Sequence, residues 1–307
     1  MKQTSRLGVL ILFLCLLLLP GCRNDGNFSV SIPEDYPVTV GDVEIKACPQ
    51  KVISLSPVAT EIIFALGNNA QLIGVSDYDT VEGSEKLQKY GSTANPKTEE
   101  IIACKPDLVL ISGELGEAER QSFQVQNIPV VAISAADNRE GLKSLYETVG
   151  IIMAGKSAGQ KNGANTVNRM LEKMEQAGEA AGNQPQTAVL FLTESAVATG
   201  ETFAGWVLSC AGVENVAGEA RNYTMAYEEI AKADPDIIFC DPDAAAGIKS
   251  DAILGKLSAV KENRLVEISA ADIERQGHGL QAAVLAMAKA AYGQKTESSG
   301  ETESSEA

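Results

Sequence analysis

The sequence holds one histidine, His278, and one tryptophan, Trp206, and aromatic residues make up only 5% of it. A metal centre built from several histidines is therefore excluded. The 6 cysteines include no CxxC pair, so no zinc ribbon or thioredoxin-type redox centre is encoded. Basic residues are scarce as well: 25 Lys and Arg stand against 41 Asp and Glu, for a net charge of −16. Nucleic-acid binding is driven by Lys and Arg neutralising phosphates, so a nucleic-acid partner is excluded on this balance. HExxH is absent. Gly150 to Gly159 spells both a GxSxG and a Walker-type Gly-Lys-Ser string, but it lies inside the helical region 137–184 and follows no β-type run, so it forms neither a nucleophile elbow nor a phosphate loop. A Ser/His/Asp set could draw only on His278. The chain does not read as an enzyme and calls for no cofactor. Only one long apolar run occurs, which excludes a polytopic membrane protein.

That run lies at the start. Lys2 and Arg6 precede the 13 mostly apolar residues from Leu7 to Leu19. As a helix it would span roughly 20 Å against a hydrocarbon layer of ~30 Å, so it reads as an export signal. It ends in Leu19-Pro20-Gly21-Cys22, which resembles the lipobox of bacterial lipoproteins, where the cysteine is acylated and becomes the first mature residue. Residues 1–21 are thus read as signal peptide and 22–48, polar and Pro-containing, as a lipidated Cys22 and tether. The protein is expected outside the cytoplasmic membrane, held by its lipid. Cys48, Cys104, Cys210 and Cys240 remain, irregularly spaced. Cys104 and Cys240 sit in apolar segments as small buried hydrophobes, and disulfide pairing is left open.

What is present is length and apolar content: 307 residues at 45% hydrophobic suffice for two domains, each with a core. Short β-type runs, Val52–Leu55, Leu72–Val75, Asp107–Ile111 and Val130–Ile133, alternate with helical stretches Thr60–Leu66 and Glu114–Gln126, giving an α/β lobe over 49–136. Ser56-Pro57 is a helix-start signal. A second α/β lobe over 185–293 carries Ala188–Leu192, Asp236–Phe239 and Leu265–Ile268. Between them, 137–184 reads as a helical region with the apolar stripe Val167, Met170, Leu171, Met174 and Ala177, and Gly155, Gly159 and Gly163 predict a break in it. The segments Glu99-Glu100 to Pro106-Asp107 and Glu228-Glu229 to Pro235-Asp236 share one pattern, a short helix opening on two glutamates, a Pro-Asp break and a buried strand. They form a pseudo-repeat. Residues 294–307 are Glu- and Ser-rich and too polar to fold.

The opening Val52-Ile53-Ser54-Leu55-Ser56-Pro57-Val58-Ala59-Thr60-Glu61-Ile62-Ile63-Phe64-Ala65-Leu66-Gly67 resembles that of the helical-backbone substrate-binding proteins of ABC importers for cobalamin, ferric siderophores and haem. The similarity continues through Leu72–Ser76, both Glu-to-Pro-Asp segments and the stretch near Arg275, and covers most of 49–293. It implies two Rossmann-like lobes joined by a single long backbone helix, the class III periplasmic binding protein architecture, with a metal chelate captured in the cleft between them. It also implies a lipid-anchored monomer that serves an ABC permease dimer and its ATPase subunits. A surface receptor or sensor that binds a similar ligand without an importer is the alternative.

Strand-end loops carry ligands in α/β lobes. The candidate ligand residues are Ser56, Tyr78, Asn95, Phe203, Trp206, Tyr223, Arg275 and His278: rings for a planar macrocycle, Arg275 for an anionic chelate, and His278 for an axial nitrogen. Each has a plainer reading as well: Trp206 as core, and His278 as a solvated helix-start residue. The resemblance further places Glu99 and Glu228 as the acidic points that dock onto permease arginines. Helix electrostatics alone would also favour glutamates there.

Overall fold

The computed structural model describes residues 35–182 and 184–293. The export signal, Cys22 and the acidic tail lie outside the described residues.

The first described element departs from expectation. Within the stretch read as tether, β1 (Val38–Val40) and β2 (Val43–Ile45) form an antiparallel hairpin closed by Gly41 and Asp42. Gly41 sits at φ +56, the left-handed region that two-residue hairpin turns demand. Val38 and Ile45 are buried against the main core, so 35–48 is part of the folded body.

The N-terminal lobe is a five-stranded parallel sheet ordered β5-β4-β3-β6-β7. It comprises β3 (Val52–Ser54), β4 (Leu72–Val75), β5 (Gln88–Lys89), β6 (Leu108–Ile111) and β7 (Val130–Ala132). Helices α1 (Pro57–Ala65), α2 (Thr98–Ala103) and α3 (Glu117–Val125) form its crossovers. The central pair β3 and β6, in register Val52↔Leu108 to Ser54↔Leu110, is buried throughout, as continuous apolar runs in parallel sheets require. Strand order reverses between β3 and β6, which opens a crevice beyond their carboxyl ends.

The region 137–184 is a helical hairpin. Asn138 accepts from the Gly141 amide at 2.9 Å and starts α4 (Arg139–Ala154). A π-type turn over Gly155–Gly159 then reverses the chain into α5 (Gln160–Gly178), so the break falls among the three glycines that predict it. Asp35 holds this turn through the amides of Lys156 and Ser157. Helix α5 runs from one lobe to the other. Near its start Asn162 donates to Leu66 O of the N-terminal lobe at 2.9 Å, and its last residue, Gly178, packs on the backbone of Cys210 and Gly212. At 1.5 Å per residue, α5 is about 29 Å long.

The C-terminal lobe repeats the plan with four parallel strands ordered β11-β10-β8-β9. These are β8 (Thr187–Phe191), β9 (Glu214–Asn215), β10 (Ile237–Cys240) and β11 (Leu265–Glu267). Its helices are α6 (Phe203–Cys210), α7 (Tyr227–Ala233), α8 (Ala245–Ser250), α9 (Ser258–Lys261), α10 (Ala270–Glu274) and α11 (His278–Tyr292). The pseudo-repeat has a shared mechanical role. Lys105 and Asp234 both take positive φ before the Pro-Asp pair and end α2 and α7. Asp107 then accepts from the amides of Gln50 and Lys51 at 2.8 and 2.9 Å, and Asp236 from Thr187 N and Oγ1 at 2.8 Å. In each lobe that aspartate pins the start of the first strand beside its neighbour.

Candidate functional site

A cavity of about 650 Å³ opens between the lobes. One wall is Ala135, Ala136 and Asp137, where the chain leaves β7 for α4. The other is Leu192 after β8, Glu201 to Ala204 at the start of α6, and the turn bearing Asn222 and Tyr223. Ile273, Glu274 and Gln276, at the α10–α11 junction, form the floor. This is where the strand-end loops of two facing α/β lobes converge.

The turn Arg221–Thr224 is built for display. Asn222 and Tyr223 both sit at φ +57, and Thr224 N returns to Arg221 O at 3.2 Å. Asn222 N donates to Glu201 Oε1 at 2.6 Å and Tyr223 N to Thr199 Oγ1 at 3.3 Å. Left-handed backbone costs a side-chain-bearing residue roughly 1–2 kcal/mol, a strain of the sort that concentrates at ligand sites. It leaves Tyr223, 46% exposed, at the cavity. Tyr223→Gly relieves that strain but loosens the unfolded chain, so its stability is expected within about 1 kcal/mol of wild type. Its ligand affinity should fall. A chemical melt beside a titration checks this, and unchanged affinity would remove the ring from the site.

Gln276 is the residue that sequence reasoning missed. It is buried and left-handed at φ +57. Its Oε1 accepts from Ala136 N and its Nε2 donates to Ala136 O, each at 2.7 Å, while Tyr146 Oη donates to its carbonyl at 3.0 Å. The α10–α11 junction is thereby tied to the N-terminal wall of the cavity. Gln276→Ala leaves a buried amide and carbonyl unpaired, at about 1–3 kcal/mol for each group. A loss of roughly 2 kcal/mol or more is expected in denaturant unfolding, whereas a loss within error would show that water replaces the side chain.

Beneath this junction lies a buried acidic group. Burial pushes the Glu61 carboxyl up, helped by Asp272 and Asp79 and opposed by Arg275 and the His278 amide. Asp79 is likewise raised, first by burial, against the Ser76 amide that donates at 2.7 Å, and its Oδ1 has no partner among the described residues. Folded values above the unfolded ones mean that the native state binds more protons, so stability falls as pH rises. The contribution is complete below about pH 4, the ordinary carboxylate range, and is lost as pH climbs through the raised values. Melting temperature followed from acid to neutral pH should therefore drop more steeply in wild type than in a Glu61→Gln, Asp79→Asn double variant. Parallel curves would sink this assignment.

The other expected site residues are spread more widely. Phe203 and Tyr223 line the cavity. Trp206, its ring tilted against that of Phe203 with centroids 5.1 Å apart, faces a separate groove with Arg139, Met174 and Cys210. Ser56 is buried and caps α1, accepting from Ala59 N at 3.2 Å and from Ser112 Oγ at 2.7 Å. Tyr78, 66% exposed, and the exposed Asn95 stand on N-lobe loops outside the lining. Arg275 donates to Tyr78 O at 3.1 Å and to Thr80 Oγ1, tying the junction to that loop. His278 is exposed at the start of α11. Cys48, Cys104, Cys210 and Cys240 are all free, and burial lifts the Cys210 and Cys240 thiols to about 11. Glu99, Glu100, Glu228 and Glu229 occupy the first turns of α2 and α7, exposed and, among the described residues, without side-chain partners.

A family model described as "Periplasmic binding protein" matches residues 52–271. The chain belongs to this family. Its members are solute-binding proteins rather than enzymes. The chain is 27% identical over 301 residues, 92% of its length and 95% of the relative's, to an uncharacterized ABC transporter substrate-binding lipoprotein, YvrC, of Bacillus subtilis. The fold matches the apo periplasmic heme-binding protein RhuT of Roseiflexus sp. RS-1 with a TM-score of 0.67, at 18% identity over 79% of this chain and 98% of that one. It matches the periplasmic vitamin B12 binding protein BtuF of Vibrio cholerae with a TM-score of 0.61, at 22% identity over 79% and 96%. Two α/β lobes spanned by a long helix, as implied by the opening motif, are thus the architecture of this binding protein.

Proposed function

We propose that this chain is the extracytoplasmic substrate-binding lipoprotein of an ABC importer. It captures a metal chelate (a corrinoid, ferric siderophore or haem) between its lobes and delivers it to a permease dimer powered by ATPase subunits. The observation that carries this reading is the inter-lobe cavity, of about 650 Å³ and walled in part by Phe203, Tyr223 and Leu192. Its size falls in the range of compact organic ligand sites. The names of the YvrC, haem-binding and B12-binding relatives point the same way. The lipobox at Cys22 supports membrane tethering of a monomer, and the matched Glu99 and Glu228 suit a two-fold symmetric permease. Calorimetric titration with cobalamin, haemin and ferric siderophores, paired with uptake assays in a strain lacking the gene, tests this function. Submicromolar binding of one chelate together with lost uptake is expected. Binding with unaltered uptake would favour a surface receptor or sensor, and no binding at all would overturn the reading.

A further inference from the structure

The charged residues that line the inter-lobe cavity all have one sign. Asp137, Glu201 and Glu274 line it, one from each wall and one from the floor, and no Lys, Arg or His is among the described lining residues. All three are exposed, so water reaches them in the open cavity and a ligand would meet them as anions. Glu201 is held ionised: burial acts to raise its carboxyl, but the amides of Glu201 and Asn222, the Thr199 hydroxyl and Arg221 together bring it below the usual range.

The nearest cations are already engaged. Arg221, 3.5 Å from Glu201 and donating to Ala220 O, balances that carboxylate at the rim. Arg275 points to Tyr78 O and Thr80 Oγ1 and lies in the field of Glu61 and Asp79. Asp137 and Glu274 have no basic partner within salt-bridge distance among the described residues. A ligand that fills the cavity displaces the water screening these carboxylates, and the interaction with each grows as the effective dielectric falls. The apolar walls Leu192, Phe203, Tyr223 and Ile273 would hold a macrocycle or chelate body regardless of its charge, so the carboxylates act on selectivity more than on affinity.

Resting on the chelate-binding reading above, we infer that Asp137, Glu201 and Glu274 form a charge filter that admits uncharged or cationic chelates and rejects anionic ones. A corrinoid whose periphery is carboxamide fits this class. A haem with two free propionates, or a siderophore complex with a net negative charge, does not. Asp137 and Glu274 are the selective members, because Glu201 is partly neutralised by Arg221.

The test uses the full mature chain and charge-matched pairs on one scaffold. The pairs are cobalamin against its side-chain monocarboxylic acids, haemin against its dimethyl ester, and a cationic trihydroxamate ferric chelate against its N-succinylated derivative. On whichever scaffold binds, the less negative member should bind tighter by roughly ten-fold for each charge. An Asp137→Asn, Glu274→Gln double variant, with its melt checked against wild type, should bind an anionic member about ten-fold better, an uncharged one unchanged and a cationic one less tightly. If a scaffold binds and its anionic member binds equally or more tightly, the filter is overturned and the importer reading stands. If all the pairs fail to bind, the chelate reading itself is overturned, and the filter with it.

Discussion

Glu228→Arg should abolish ligand uptake while leaving ligand affinity near wild type, and Glu99→Arg should do the same through the other lobe. Each residue opens a short helix, α7 or α2, whose far end feeds the strand beside the lobe's first strand. A crossover helix runs antiparallel to its strands, so both first turns lie at the carboxyl-end rim that the lobes present. Neither glutamate lines the cavity, and neither has a side-chain partner among the described residues. Their local value is limited to the helix dipole, about 0.3–1 kcal/mol each, so the reversed proteins should stay folded. Against a permease that offers arginines, the reversal replaces attraction by like-charge contact costing several kcal/mol, enough for more than a hundred-fold loss of docking. Both variants need a titration and an uptake assay on the same preparation. Normal uptake in the two single reversals would leave these glutamates as helix-start residues only.

The same pair of segments shows what the sequence makes legible. Buried central strands such as β3, β6, β8 and β10 announce themselves as short apolar runs, because a parallel sheet covered on both faces needs them. The edge strands β5 and β9 have two residues each and polar composition, so no periodicity marks them. The hairpin β1–β2 was readable in principle from Val38-Thr39-Val40-Gly41-Asp42-Val43-Glu44-Ile45, alternation around a Gly-Asp turn, but its setting in a polar stretch hid it. The repeat could be seen, yet the clamping by Asp107 and Asp236 is tertiary and has no local signature. The site was harder still. Phe203 and Trp206 lie three apart on one helix, and only the packing of α5 and α6 sends one to the cleft and the other to the rear groove. Gln276 looks like any surface glutamine between Arg275 and Gly277, because its partners are backbone atoms of Ala136, distant in sequence.

Gly159→Ala should be among the most damaging single substitutions in the chain. Gly159 has an ordinary helical φ of −66, so backbone freedom is not what requires glycine there. The requirement is space. A Cβ at 159 would overlap the Gly150 carbonyl, 2.5 Å from its carbon and 2.9 Å from Ile151 N, and one at Gly163 would lie 2.7 Å from Glu147 Cα. The obstructing atoms are all backbone and cannot rotate aside. Helix α4 therefore meets the turn and the start of α5 backbone to backbone, through Gly150, Gly159 and Gly163. Alanine favours a helix over glycine by about 1 kcal/mol, which would stabilise an unobstructed site. Here the helices must separate, loosening the contacts of Val149, Ile152, Val167 and Met170, all buried in the core between them. The expected net loss is about 3 kcal/mol, or a melting temperature lower by roughly 6–12 °C. Because α5 is also the bridge between lobes, ligand affinity should fall with it. Lys161→Ala, at an exposed position on the same helix, should change neither. A Gly159→Ala protein that melts at or above wild type would mean that the two helices are not in backbone contact.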